Sequence, residues 1–175
     1  MKQVLMLTAM ALAMVVPAAP AGAGHGGSGD GVSKATAGLD KLKSLAGVWE
    51  SKGNDSERVT VAYEVVSNGS AVMESIRHAD APDMITVYYI NGDRLMMTHF
   101  CALGNQPRMK ASVPAGDIKE LRFSYVDGTN MRKSDTHMHG LVMQFLSNTH
   151  VHAAWTVYEK GRPTHEVVFE LARRS

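Results

Sequence analysis

The sequence predicts an all-β protein, an antiparallel up-and-down β-barrel of about ten strands preceded by one short helix. Runs of β-branched and aromatic residues begin near residue 47, with turn residues between them at intervals of roughly eight to twelve positions. Asn68-Gly69 and Asn91-Gly92 are typical of two-residue turns between antiparallel strands. No connection is long enough for a crossover helix, so strands that are neighbours in sequence should pair.

The N-terminal segment, residues 1–23, has the pattern of a secretory signal peptide. Lys2 is followed by an apolar run and then by small residues ending at Ala23, after which we expect cleavage. The run is shorter than the ~20 apolar residues of a transmembrane helix, and no later stretch approaches that length. We therefore expect a periplasmic or secreted protein without an integral membrane segment.

Length, charge and cysteine content predict one domain without a polyanionic partner. Removal of residues 1–23 leaves 152 residues, which suffice for one hydrophobic core. Without Lys2 the chain has 17 basic and 17 acidic residues, so its overall field would not attract nucleic acid or anionic lipid. The single cysteine, Cys101, cannot form an internal disulfide, so burial of apolar side chains has to hold the fold.

A linker and a helix are expected before the barrel. Residues 24–33 are rich in Gly and Ser, a composition typical of a flexible linker. Leu39, Leu42 and Leu45 follow at a spacing that places all three on one face of an α-helix. The predicted barrel domain, including this helix, therefore spans residues 34–175.

Ten strands are predicted after the helix, and their connections alternate between the two ends of the barrel. The predicted strands are 47–52, 58–66, 70–77, 84–90, 94–102, 108–114, 120–126, 137–146, 150–159 and 163–173. At one end all connections are short, which is typical of a closed end. The opposite end, here called the mouth, collects longer polar loops of the kind that carry binding residues. These mouth loops are 53–57, 78–83, 102–107, 127–136 and 160–162.

The stretch "LAGVW", which ends at Trp49, resembles the Gly-X-Trp signature of the calycin superfamily, the lipocalins, fatty-acid-binding proteins and nitrobindin-like barrels. In that superfamily the Trp plugs the closed end of the barrel, and an Arg or Lys from the last strand packs over it. The C-terminal "FELARRS" offers Arg173 or Arg174 for this role. The resemblance implies a cavity for a small hydrophobic or amphipathic ligand. Ten strands suit the fatty-acid-binding and nitrobindin-like branches better than the lipocalins.

Strand register assigns side chains to the two faces of the sheet, because a slip of one residue moves every side chain to the other face. The turns before and after the ninth predicted strand set Leu141 opposite Trp155 and make one face continuously apolar. On the same register His139 and His165 lie with Val157 in an inward row near the mouth. These two histidines are therefore candidate ligand-binding residues.

The hairpin at Asn68-Gly69 places a carboxylate inside the barrel. It sets Tyr63 opposite Glu74 and Val59 opposite His78, with these side chains facing inward. A buried carboxylate is costly unless it is paired, so we expect a hydrogen bond to Glu74 from a Tyr or an Arg. Tyr63, Glu74 and His78 are candidate ligand-binding residues on this basis.

The segment "THFCALGNQPRM", Thr98 to Met109, leads from a strand into the mouth. The turn at Asn91-Gly92 sets Met97 opposite Thr86, but both faces of this strand are apolar, so the side on which His99 lies is open. The cavity side is favoured because His99 lies at the rim. The candidate ligand-binding residues of this region are Met97, His99, Cys101, Asn105, Gln106 and Arg108.

Three functions are compatible with these residues. The leading interpretation is an exported binding protein with an apolar cavity, adaptable Met side chains and a histidine-rich mouth. The alternative is a haem or divalent transition-metal protein that uses His139 and His165 as metal ligands. The third is a small enzyme with His99 as base and Cys101 as nucleophile. The enzyme is disfavoured because residues i and i+2 of a strand lie roughly 7 Å apart, too far for the hydrogen bond that activates a thiol.

The sequence does not identify the ligand or the oligomeric state, and a homodimer is compatible with it.

Overall fold

A computed structural model describes residues 29–52 and 58–175 as a closed antiparallel barrel of ten strands with one helix. Each strand pairs with its sequence neighbours, and β1 pairs with β10, so the predicted up-and-down barrel is confirmed. The elements are α1 Gly29–Lys43, β1 Gly47–Lys52, β2 Arg58–Val66, β3 Ala71–Arg77, β4 Met84–Asn91, β5 Arg94–Phe100, β6 Gln106–Ser112, β7 Glu120–Thr129, β8 His137–Phe145, β9 His150–Glu159 and β10 Arg162–Arg173. The expected signal peptide and the mouth loop 53–57 lie outside the described residues.

Several element boundaries differ from the prediction by one or two residues, and two differ by more. The helix begins at Gly29, inside the stretch expected to be a linker, with Asp30 in its first turn, where a negative charge favours the helix dipole. Strand β7 continues to Thr129 because a bulge between Arg108 and Met109 lets it stay paired with the start of β6. The bulge therefore shortens the predicted loop at residues 127–136.

The hairpin turns fix the register on the inner face. Asn68 and Gly69 both have positive φ, as in a type I′ turn, and the predicted pairing of Tyr63 with Glu74 is confirmed. In the next hairpin Asn91 pairs with Arg94, so the turn lies one residue later than predicted. The partner of Thr86 becomes His99 instead of Met97, which leaves the predicted faces unchanged because the register moves by two residues.

Trp49 and Arg173 close one end of the barrel. They lie opposite each other on β1 and β10, and the Arg173 guanidinium carbon is 4.4 Å from the centre of the fully buried Trp49 ring. Arg173 also donates hydrogen bonds to the backbone carbonyls of Ala46 at 2.7 Å and Ser44 at 2.9 Å. The closure expected from the resemblance therefore exists, with Arg173 as the cation.

Gly47, the glycine of the Gly-X-Trp motif, is required by this closure. Its φ is +128°, a conformation that other residues rarely adopt, and an added Cβ would lie 3.0 Å from Nη1 of Arg173. A side chain at this position would therefore strain the backbone and disturb the cation over Trp49.

Helix α1 packs against the barrel through the predicted leucine stripe. Leu39 and Leu42 are buried, and Leu45 is buried in the turn after the helix, which ends at Lys43. An added Cβ at Gly38 would lie 2.8 Å from Leu95, so the helix packs closely there. No helix within the described residues has the length and apolar composition needed to cross a bilayer.

The interior of the barrel is filled by side chains, as is usual for a small barrel. The largest inner-face side chains that are less than 2% exposed are Trp49, Trp155, Ile76, Tyr88, Leu95, Met97, Met109, Leu121, Leu141, Met143 and Leu171. Few polar side chains in the described part of the chain share this degree of burial, and most of them lie in one region of the wall.

Candidate functional site

A row of polar side chains crosses four neighbouring strands on the inner wall of the barrel. Tyr63 lies opposite Glu74, Glu74 lies opposite Thr86, and Thr86 lies opposite His99. All four side chains are at most 3% exposed. This polar row places a carboxylate, two hydroxyls and an imidazole within an otherwise apolar core.

Glu74 is held by two tyrosine hydroxyls. Tyr63 donates to Oε1 at 2.7 Å and Tyr88 donates to Oε2 at 2.8 Å, which confirms the expected tyrosine partner. Burial raises the pKa of Glu74, although hydrogen bonds from Tyr63, Tyr88 and Thr86 oppose the rise. Burial, followed by the charge of Glu74, raises the pKa of both tyrosines well above its usual value. Both phenols therefore remain protonated donors to the carboxylate.

His99 occupies the end of the polar row. Its Nδ1 lies 2.9 Å from the hydroxyl of Thr86, and its ring centre lies 4.7 Å from that of Trp155, which reaches it from β9. Burial lowers the pKa of His99 to about 4, so the imidazole is neutral near pH 7. Its Nε2 is buried and has no hydrogen-bond partner in the described part of the protein. The side of β5 on which His99 lies, open in the sequence, is thus the inner face.

Three other candidates also lie on the inner side. Met97 is fully buried opposite Tyr88, one pair further toward the closed end than His99. His78 is half-buried, with its ring centre 6.2 Å from that of Phe169. Cys101 is buried just after β5.

The thiol of Cys101 lacks the environment of a nucleophile. Burial raises its pKa, although two backbone hydrogen bonds partly oppose the rise. The described hydrogen bond of His99 runs to Thr86. An activated thiol needs a lowered pKa and an adjacent base, so this geometry gives no support to a His99 and Cys101 pair.

Asn105 and Gln106 tie the mouth loops together. Asn105 Nδ2 donates to the carbonyl of Thr136 at 2.9 Å, and Gln106 Nε2 donates to the carbonyl of Gly104 at 3.0 Å. Thr129 donates to Oε1 of Gln106 at 2.9 Å. The contacts of both residues are therefore with the neighbouring loops and strand.

Arg108 lies on the outer face of the barrel. It is exposed, and its Nε donates to Oδ1 of Asp127 at 2.6 Å, whereas the next residue, Met109, is fully buried in the core. The side chain therefore points away from the polar row.

The predicted inward row of His139, Val157 and His165 is wrong for His139. A bulge between Met138 and Gly140 sets Met138 opposite Val157, and His139 stacks instead on Tyr158 with ring centres 3.7 Å apart. His165 does lie opposite Val157, but it is exposed. The bulge thus separates His139 from the inner face.

No set of three or more His, Cys, Asp or Glu side chains within residues 29–52 and 58–175 is placed to hold a metal ion. Within these residues, a metal bound through His139 and His165 would therefore have no third His, Cys, Asp or Glu ligand.

His139 belongs to an outer cluster formed by Tyr125, His137, His139 and Tyr158. The His139 ring lies between those of Tyr158 and Tyr125, whose centres are 3.7 Å and 4.7 Å away. His137 is buried beside it, with Nδ1 2.7 Å from the carbonyl of Asp135 and Nε2 2.9 Å from Nδ1 of His139. A cavity of about 330 Å³ opens next to these four rings.

Several residues of the site were not among the predicted ones. Thr86 and Tyr88 alternate on β4, so the hairpin register could have placed them beside His99 and Glu74. Besides Nε2 of His99, the hydroxyl of Ser51 on β1 and Oδ1 of Asn105 are buried without a partner in the described structure. The approach of Trp155 to His99 joins β9 to β5 across the interior, and no local pattern predicts it.

The fold and the site define a class of protein, a closed ten-stranded antiparallel barrel with a packed apolar interior and a buried polar row. No known protein family and no curated protein matches the sequence. A solved structure of a protein of unknown function from the DUF3598 family of Nostoc punctiforme is similar, with a TM-score of 0.53 and 11% sequence identity. The match covers 76% of this chain and 49% of that protein, so the chain spans about half its length. At this identity the likeness shows the barrel fold alone.

Proposed function

We propose that this chain is an exported small-molecule-binding protein of calycin-like architecture, whose ligand places one polar group on Nε2 of His99. The observation that carries the proposal is that this nitrogen is buried without a hydrogen-bond partner in the described structure. A buried polar group left unpaired costs about 1–3 kcal/mol, and native proteins keep few of them. A ligand that hydrogen-bonds to Nε2 would remove this cost.

The surroundings of His99 favour a largely apolar ligand. Tyr63 and Tyr88 already donate to Glu74, which leaves His99 as the polar anchor of the row. Met97, Met109 and Met143 are fully buried in the same interior. Methionine side chains are flexible and can repack around ligands of different shape. The expected ligand is therefore a small hydrophobic or amphipathic compound with one hydrogen-bonding group.

The closed end supports the calycin-like part of the proposal. The resemblance implies a Trp plug covered by a cation from the last strand, and Trp49 and Arg173 have this arrangement at 4.4 Å. A barrel closed at this end would admit a ligand from the mouth. Because side chains fill the interior, the ligand would have to displace some of them, and the buried Met side chains are flexible enough to move.

The test is to isolate the mature protein from its own source, identify bound compounds by native mass spectrometry, and measure their rebinding after extraction. Trp155 lies next to His99, so rebinding should change tryptophan fluorescence. We expect His99→Phe to weaken rebinding by about tenfold or more. The matched control is His150→Phe, which changes an exposed histidine at the closed end. A protein that carries no compound, or that rebinds equally well with Phe at position 99, would contradict the proposal.

Haem binding is a second candidate, favoured by the same imidazole. A metal-ligating histidine normally donates its other ring N–H to a fixed acceptor, and Thr86 is placed to accept from Nδ1 of His99. His99 would then hold the iron through Nε2, provided that Trp155, whose ring centre lies 4.7 Å from that of His99, moved aside, and the haem would supply redox or gas-binding chemistry. The absorbance spectrum of the protein from its own source decides between the candidates, since haem gives a strong Soret band that should be lost in His99→Phe.

A further inference from the structure

The outer cluster offers a basic nitrogen whose protonation state is fixed by its neighbours. The carbonyl of Asp135 can only accept a hydrogen bond, so Nδ1 of His137 carries a proton. In the neutral ring, Nε2 of His137 then accepts from Nδ1 of His139. Nε2 of a neutral His139 is consequently left unprotonated and able to accept a hydrogen bond. Burial and the neighbouring His137 lower the pKa of His139, which agrees with the neutral form.

The position of the His139 ring is also fixed. It is sandwiched between Tyr125 and Tyr158 at interplanar angles of 18° and 13°. The acceptor is thus preorganised by ring stacking and by the hydrogen bond to His137.

The cavity beside the outer cluster adds a cation and aromatic walls. It has a volume of about 330 Å³ and is lined by Tyr125, Lys133, His137, His139 and Tyr158 together with Val126 and Gly161. Small-molecule sites fall in this size range, and aromatic side chains pack well against planar rings. One acceptor, one ammonium group and flat apolar walls match a planar ring that bears a hydroxyl at one end and an anion at the other.

We propose that this outer cavity binds a small phenolic acid, with the phenol hydroxyl donating to Nε2 of His139 and the carboxylate paired with Lys133. The site is separate from the barrel interior and does not depend on the function proposed for His99. His137 acts as a positioning residue, since it holds the tautomer of His139 without contacting the ligand.

The test is calorimetric titration of the mature chain with 4-hydroxybenzoate, compared with 4-methoxybenzoate, which lacks the hydroxyl donor. We expect the methoxy compound to bind about tenfold more weakly or worse. His139→Phe, which keeps the ring stack, and Lys133→Gln, in an exposed loop, should each weaken 4-hydroxybenzoate binding by about the same factor. His152→Phe, on the outer face of β9 and paired with Glu170, is the matched control and should bind as the unchanged protein does.

Three results would overturn the proposal. The first is no detectable binding of 4-hydroxybenzoate at millimolar concentration. The second is equal affinity for the two benzoates, or affinity that His139→Phe and Lys133→Gln leave unchanged. The third is binding that is lost in His99→Phe but retained in both outer variants, since that would assign the probe to the barrel interior. If His139→Phe does not fold, the affinity of Lys133→Gln and the comparison of the two benzoates still test the proposal.

Discussion

At the residue scale, Arg173 should stabilise the closed end of the barrel more than a surface cation usually stabilises its surroundings. Its guanidinium covers Trp49 and donates to three backbone carbonyls, those of Ser44, Ala46 and Asn148. We expect Arg173→Met to destabilise the protein by about 1–3 kcal/mol, because these acceptors and the ring face lose their partner. Urea unfolding measures the change. Arg174→Met, at the exposed neighbouring position, should change stability by less than about 0.5 kcal/mol, and equal losses in the two variants would refute the role of Arg173.

Trp49 itself should be the larger contributor. The ring is fully buried, and Nε1 donates to the carbonyl of Leu45 at 2.8 Å. Trp49→Ala should cost on the order of 3 to 5 kcal/mol, because it opens a cavity and removes the plug. A loss below about 1 kcal/mol in the same urea titration would mean that the end is closed by other contacts.

The thiol of Cys101 should react slowly with disulfide reagents in the folded protein. It is buried and burial raises its pKa, so little thiolate is present at neutral pH. We expect slow reaction with a disulfide reagent at pH 7.5 in buffer and fast, complete reaction in guanidinium chloride. Reaction of the folded protein at the rate of a free thiol would show that the site is open.

At the element scale, the packing of α1 on the barrel depends on the absence of a side chain at Gly38. Alanine is the better helix former by about 1 kcal/mol, yet a Cβ here would lie 2.8 Å from Leu95 and 3.0 Å from Val113. We expect Gly38→Ala to lower the free energy of unfolding by about 1–3 kcal/mol, because overpacking outweighs propensity. Gly29→Ala, in the same helix with open space around it, is the control and should be neutral or stabilising. Stabilisation by Gly38→Ala in thermal unfolding would show that the helix can move away.

At the scale of the whole molecule, His99 should make stability depend on pH. Its pKa is about 4 in the folded protein and near 6.5 when unfolded, so between these values the unfolded chain binds a proton that the folded chain does not. Stability should therefore fall as pH decreases from about 6.5 to 4, by up to about 3 kcal/mol from this residue. Glu74 has the opposite sign, because its raised pKa favours the folded state as pH decreases.

The pH effect of His99 is isolated by comparing urea unfolding of the unchanged protein and His99→Phe at several pH values. The difference in unfolding free energy between the two should change over this window, since Glu74 contributes to both. A difference that stays constant from pH 7 to pH 4 would show that His99 is protonated without cost in the folded state.

The sequence by itself determined the strands, their order and most of the inner face. Alternation of apolar residues and turn chemistry are local properties, so Tyr63 opposite Glu74 and Leu141 opposite Trp155 could be predicted from hairpin geometry alone. The turn near Asn91 lies one residue later than predicted, which shifts the pairing of β4 and β5 by two residues. A shift of two leaves every side chain on its predicted face of the sheet.

Only the tertiary structure decided the surroundings of the two histidines of most interest. A bulge depends on how three adjacent strands fit together and twist, and it moved His139 from the predicted inner row to a stack between two tyrosines on the outside. The ring of His99 is buried where β9 brings Trp155 to within 4.7 Å of it across the interior, and Thr86 pairs with its Nδ1. Contacts of this kind join residues far apart in the chain, and their geometry is set by closure of the whole barrel, which no local pattern records.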